Sequence, residues 1–209
     1  MARISLILKT KGRSMKILIT GATGFVGQTL VKELLLENHE LTILTRNVAN
    51  AALKLGSRCK YFYWDALTTP PIEAMEGQDV VMNLLGEGIA DKKWSDQQKK
   101  IIYNSRIDGT KKIIEALSLV KRKPKKLIST SAIGIYGDRG EEVITEESQL
   151  GGDFLASLCK DWEAEALKAN DLGISVSIIR VGVVVGKNGG ALKKMLPVFK
   201  LGIGGSLGS

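Results

Sequence analysis

One octapeptide limits what this chain can become. Thr20-Gly21-Ala22-Thr23-Gly24-Phe25-Val26-Gly27 directly follows the apolar run Lys16–Thr20 and opens a segment of helical spacing. In that segment Phe25, Val26, Leu30 and Leu34 fall on one side, and Gln28, Lys32 and Glu33 on the other. A glycine turn between a strand and a helix has a physical use. Gly21 permits the tight turn, Gly24 lets backbone N–H groups approach a phosphate, and Gly27 lets the helix pack close to the sheet. The positive end of the helix then favours an anion. The pattern points to a bound dinucleotide pyrophosphate; the duller alternative is a turn built only for packing.

The rest of the chain repeats the unit. Leu41–Thr45, Tyr61–Tyr63, Asp79–Leu85, Lys126–Thr130 and Ser175–Arg180 are short, largely apolar runs. Ile101–Leu119 and Phe154–Asn170 between them have helical spacing. Short strands alternating with helices predict an α/β fold: a Rossmann-like, doubly wound parallel sheet with helices on both faces. At 209 residues the chain suits one sizeable domain, read here as 15–209 after an extension at 1–14 expected to lack order. The glycine-rich stretch after Pro197 connects to no closing element, so a second, C-terminal lobe is expected to be missing after Ser209.

The net charge of +8 is local. Met1–Ser14 carries Arg3, Lys9, Lys11 and Arg13 without an acid, and Lys121–Lys126 has five basic residues in six. With aromatics at 5% and no interleaved basic face, these read as a tail and a solvated loop rather than a specific nucleic-acid site. Cys59 and Cys159 are far apart and His39 is alone, so no metal site is expected. Two buried, reduced thiols suit a cytoplasmic protein. No apolar run reaches the roughly 18 residues of a membrane span. Exposed apolar surface near Leu196–Ile203 would favour a homodimer; a monodisperse monomer in light scattering would count against it.

The end of the second strand bears on the cofactor. An acid there would hold a ribose 2′-hydroxyl. The chain has Thr45 and Arg46 instead, which suit a 2′-phosphate, so NADP(H) is favoured over NAD(H). Asp65, after the third strand, would lie beside the adenine amino group.

Several segments together, MKILITGATGFVG (15–27), LTILTRN (41–47), MNLLGEGIADKKW (82–94), NSRIDGTKK (104–112), STSAIGIYGDRG (129–140), GGDFLASLCKDWE (151–163) and IIRVGVVVGKNGGALKKMLPVFKLGIGG (178–205), resemble atypical, extended short-chain dehydrogenase/reductases. The likeness is closer to the NAD(P)-dependent, sugar-nucleotide-epimerase-like group of the YfcH type. It implies that Gly21, Thr23, Gly24, Phe25 and Val26 hold the pyrophosphate and that Thr45 and Arg46 meet the 2′-phosphate. It implies that Leu84, Leu85 and Gly86 pass beneath the adenosine ribose. Arg106, in an S-R pair usual for that group, would reach a cofactor phosphate. Gly182, Val183 and Val184 would approach the nicotinamide.

The resemblance also sets a catalytic expectation: a Ser after the fifth strand, and a Tyr four residues before a Lys on the following helix. The Tyr would shuttle a proton and the Lys would lower its pKa. Ser131 matches the Ser, and Lys160 lies where the Lys could be. Four residues before Lys160 is Ala156, and its neighbour Leu155 is no better, so the standard Tyr is missing. Tyr136 is a substitute acid or a structural residue. Glu87 and Asp91 could line a substrate pocket. The leading reading is an NADP(H)-dependent oxidoreductase or epimerase-like protein of unknown substrate, a nucleotide sugar or carbonyl compound. The alternatives are a non-catalytic NADP(H)-binding module or redox sensor, and a truncated, inactive fragment.

Overall fold

The computed structural model describes residues 13–89, 92–186, 189–190, 196–197, 199–200 and 202. Six parallel strands form one sheet: β1 (Lys16–Thr20), β2 (Glu40–Thr45), β3 (Cys59–Tyr63), β4 (Val80–Asn83), β5 (Lys126–Ala132) and β6 (Ser175–Val181), in the order β3-β2-β1-β4-β5-β6. The order reverses beside β1, between it and β4. In open α/β sheets that is where a crevice opens at the strands' C-terminal ends. The doubly wound parallel fold expected from the sequence is therefore what the chain adopts.

The reason lies in the strands' two-sided apolarity. In β1, Ile17 and Ile19 pack into one core with Val31 and Leu34, while Leu18 packs into the other with Ile113 and Leu117. All six of these side chains other than Val31 are 0% exposed, so the strand survives only between two helical layers. Helix α1 (Phe25–Leu36) covers the first face; α4 (Asp96–Leu119) and α5 (Phe154–Leu167) cover the second.

Some boundaries differ from the sequence reading. Helix α4 starts five residues earlier than its apolar spacing indicates, because Ser95 caps it by accepting from Gln98 N. Helix α5 stops at Leu167 and tightens into a 3₁₀ turn over Lys168–Leu172. Two further helices, α2 (Val48–Leu55) and α3 (Ile72–Met75), join the early strands. Asn47 caps α2 by accepting from Asn50 N at 2.9 Å.

Residues 121–125 of the basic run form a loop, Lys126 opens β5, and Glu76 holds the loop in place. Its carboxylate accepts from Lys121 N at 2.9 Å and Arg122 N at 3.0 Å, which keeps its pKa below the usual range. Cys59 and Cys159 are both buried and unpaired. Among the described residues no helix is long and apolar enough to cross a membrane, and no His/Cys/Asp/Glu cluster could hold a metal. The N-terminal extension up to residue 12, Asp91, and Val198, Leu201 and Ile203 of the Leu196–Ile203 patch lie outside the described residues.

Candidate dinucleotide site and the crevice beside it

The glycine loop follows β1 and turns at Gly21, whose φ is +68°. A Cβ at Gly21 would sit 2.7 Å from the Leu84 carbonyl carbon, so the loop lies against the end of β4. A Cβ at Gly27 would come within 2.7 Å of Ala22 Cα, which is the close helix–turn packing that the spacing implies. Gly24 N donates to Gly21 O at 3.1 Å and closes the turn.

Gly24 is also the N-cap of α1, where it offers no capping side chain, and the first turn carries no acid. The first bond along the helix runs from Gln28 N to Gly24 O. The N–H groups of Phe25, Val26 and Gly27 therefore have no intrahelical acceptor. Among the described residues only Gly21 O lies within 4 Å of a Cβ placed at Gly24, which leaves these donors approachable. Three free donors at a positive helix end, with no carboxylate in that turn, fit a pyrophosphate.

Thr45 ends β2, and its hydroxyl accepts from Asn47 N at 3.2 Å. Arg46 is exposed and makes no ion pair among the described residues. Asp65 is engaged locally: one oxygen accepts from Leu67 N at 2.9 Å, and Tyr63 donates weakly to the other at 3.5 Å. Gly182, Val183 and Val184 leave the end of β6 on the same edge of the sheet, with Val183 74% exposed.

A buried polar network braces the switch point. Asn83 Oδ1 accepts from Thr20 Oγ1 at 2.8 Å, and Asn83 Nδ2 donates to Thr110 Oγ1 at 2.9 Å and Ser129 Oγ at 3.4 Å. Trp162 Nε1 also donates to Thr110 Oγ1, at 3.0 Å. The network ties β1, β4, β5, α4 and α5 together directly beneath Leu84–Gly86.

The three catalytic candidates do not converge. Ser131, 3% exposed, stands at the end of β5, and among the described residues its hydroxyl has no nitrogen or oxygen partner. The side chain of α5 that faces it is Cys159, not Lys160: the Cys159 thiol lies within reach of Ser131 and Ala132, and burial pushes its pKa up. Lys160 is exposed, away from the buried face of α5. Leu155, one turn before Cys159, packs beside Gly134.

Tyr136 is 6% exposed, and its hydroxyl accepts from Arg180 Nη1 at 2.6 Å. Arg180 also makes a two-pronged pair with Glu163, both bonds at 2.9 Å, which raises the guanidinium's pKa. The Tyr136–Arg180–Glu163 cluster lines an open depression of about 1000 Å³ near the β6 edge, apart from the glycine loop. The sequence reading missed this cluster. Its one signal is an arginine inside the mostly apolar strand Ser175–Val181.

A doubly wound sheet with an open glycine turn at its switch point defines a dinucleotide-binding α/β protein. The family model for the NAD dependent epimerase/dehydratase family matches residues 17–201, and the chain belongs to that family. Among curated proteins it is 39% identical over 201 residues to the chloroplastic SDR39U1 homolog of Arabidopsis thaliana, covering 95% of this chain and 57% of that protein. The human SDR39U1 structure (isoform 2), described with NADPH, is 30% identical with a TM-score of 0.78, over 93% of this chain and 63% of that one. The nucleoside-diphosphate sugar epimerase of Corynebacterium glutamicum matches at 34% identity and a TM-score of 0.78, over 99% of this chain and 42% of that one. The chain thus spans about three fifths of the length of the curated relatives it matches.

Proposed function

We propose that this chain binds NADP(H) in preference to NAD(H) and forms the cofactor half of an oxidoreductase or epimerase-like protein acting on a carbonyl compound or nucleotide sugar. The observation that carries the preference is the end of β2, where Thr45 is followed by an exposed Arg46 rather than an acid. The human relative described with NADPH supports the same choice. In this reading Gly21, Thr23, Gly24, Phe25, Val26 and Gly27 hold the pyrophosphate, and Thr45 and Arg46 the 2′-phosphate. Asp65, Leu84, Leu85 and Gly86 line the adenosine. Gly182, Val183 and Val184 meet the nicotinamide end. A reducing compartment such as the cytoplasm suits the two buried thiols.

Calorimetric titration of wild type and Arg46→Ala with NADPH and NADH tests the preference. Removing a charge-assisted contact to the 2′-phosphate should cost NADPH roughly 1.5–3 kcal/mol, about 10- to 150-fold, and leave NADH nearly unchanged. Equal losses for both nucleotides, or none for either, would reject the assignment.

A specific observation favours the second reading, a non-catalytic NADP(H)-binding module or redox sensor. The side chains of α5 beside Ser131 and Gly134 are Cys159 and Leu155, neither of which can act as a Tyr–Lys pair does. Nicotinamide oxidation on carbonyl and nucleotide-sugar substrates separates the two readings: turnover supports the enzyme, and tight binding without turnover supports the module.

A further inference from the structure

Phe25, the first residue of α1, belongs to neither core of the sheet and is 38% exposed. Its ring instead meets glycines that follow β6. A Cβ at Gly186 would stand 2.5 Å from the ring's Cζ. One at Gly189 would stand 2.7 Å from Cε2 and 2.8 Å from Cγ, and one at Gly190 3.1 Å from Cε1. Antiparallel bridges, Val185 to Gly190 and Gly186 to Gly189, hold the two sides of this seat together. Of the three glycines only Gly190, at φ +68°, has a left-handed backbone. At Gly186 and Gly189 the ring, not a turn, excludes a side chain.

The seat lies at the end of a strap. β6 is an edge strand, separated from β1 by β5 and β4. Three strand spacings, about 14 Å, therefore lie between β6 and β1. Five extended residues such as Gly182–Gly186 cover about 16 Å. The chain leaving β6 thus crosses the C-terminal ends of β5 and β4, over the switch-point crevice, and meets the first turn of α1. At its start a Cβ on Gly182 would lie 3.7 Å from Ile133 Cδ1, just past β5. The exposures alternate as in an extended chain: Val183 and Val185 are 74% and 64% exposed, and Val184 between them 37%.

We propose that the Phe25 side chain is a positioning residue for the nicotinamide half of the cofactor. Seated on Gly186 and Gly189, its ring pins the strap across the crevice, so Gly182, Val183 and Val184 are in place before the dinucleotide arrives. A strap ordered beforehand spares the ligand the cost of ordering it. The proposal rests on the reading of the crevice as an NADP(H) site. It gives Phe25 two separate tasks: its backbone N–H faces the pyrophosphate, and its ring holds the strap.

The test is calorimetric titration of the chain with NADPH and with adenosine 2′,5′-bisphosphate, which has the 2′-phosphate but no nicotinamide half. Phe25→Ala keeps the backbone donor and frees the strap. It should weaken NADPH about tenfold, the cost of ordering one further residue on binding. It should leave the bisphosphate within about threefold of wild type, since that ligand does not reach the strap. Gly189→Ala puts a Cβ where the ring sits and should act the same way. In the Phe25→Ala background, where the ring is gone, Gly189→Ala should add less than about twofold. Retained bisphosphate binding doubles as the check that each variant is folded. Three results overturn the proposal: NADPH binding unchanged in both single variants, the bisphosphate weakened as much as NADPH, or a Gly189→Ala loss as large without the ring as with it. Where the bisphosphate binds wild type too weakly to measure, the Phe25–Gly189 cycle on NADPH decides. If wild type binds neither nucleotide, the cofactor reading falls and the proposal with it; NADPH binding that is insensitive to both substitutions rejects the proposal alone.

Discussion

Gly21→Ala will lower NADPH affinity on the order of a hundredfold, the loss of one or two hydrogen bonds to a charged group, and will also destabilise the fold. Two costs combine. The φ of +68° is unfavourable for any residue with a Cβ, by about 1–2 kcal/mol. The new Cβ would also stand 2.7 Å from the Leu84 carbonyl carbon, and neither backbone can yield without moving the turn or the end of β4. Together these suggest about 3 kcal/mol, within the range of severe single substitutions. Gly21 O accepts from Gly24 N, so a shifted turn carries the free N–H groups of Phe25, Val26 and Gly27 out of line with a pyrophosphate. Gly56→Ala is the control. Its φ is +85° and nothing lies within 4 Å of a Cβ there, so it bears the backbone strain alone. Thermal melting and NADPH calorimetry on both variants separate the terms. If Gly21→Ala melts like Gly56→Ala and binds NADPH within about threefold of wild type, the loop does not hold the pyrophosphate as described.

The contrast between the glycine loop and the catalytic region shows what this sequence discloses. The loop is legible because its donors are backbone groups at fixed spacing, so strand, turn and helix follow from eight consecutive residues. The alternation of two-sided apolar strands with helices makes the parallel sheet legible for a similar reason. Helix α2 shows no such signal, because its eight residues bury only Ala51. The region around Ser131 depends instead on which way a helix is rotated. Lys160, read from the sequence by its charge, is exposed on α5 one residue after the buried Cys159. One residue turns a side chain about 100° around the axis, and the inward position belongs to Cys159. The stack of Gly86, Arg106 and Trp162, and the cluster of Tyr136, Glu163 and Arg180, join residues from separate elements. No local spacing encodes such contacts; they exist only once β4, α4, α5 and β6 are packed.

The same packing makes Asn83 the most consequential polar side chain in the core. It is 0% exposed, as are Thr20, Thr110 and Ser129, with which it bonds. Its carbonyl oxygen accepts from Thr20 and from Leu85 N, the latter at 3.3 Å, and its amide donates to Thr110 and Ser129. Asn83→Leu keeps the approximate volume and removes all four bonds. The Thr20 hydroxyl and the Leu85 N–H would then be buried without their acceptor. At about 1–3 kcal/mol for each orphaned group, the expected loss is about 3–5 kcal/mol. For a chain of this size that corresponds to a fall in melting temperature of roughly 6–20 °C. The damage reaches the site as well, because Asn83 fixes Leu85 directly and reaches Trp162, which stacks on Arg106, through Thr110. Thr110→Val in the same background gives a double-mutant cycle: bonds acting as one network make the combined loss smaller than the sum of the separate losses. Strict additivity, or an Asn83→Leu variant that melts within about 2 °C of wild type, would show that these hydrogen bonds do not act as one brace for the crevice.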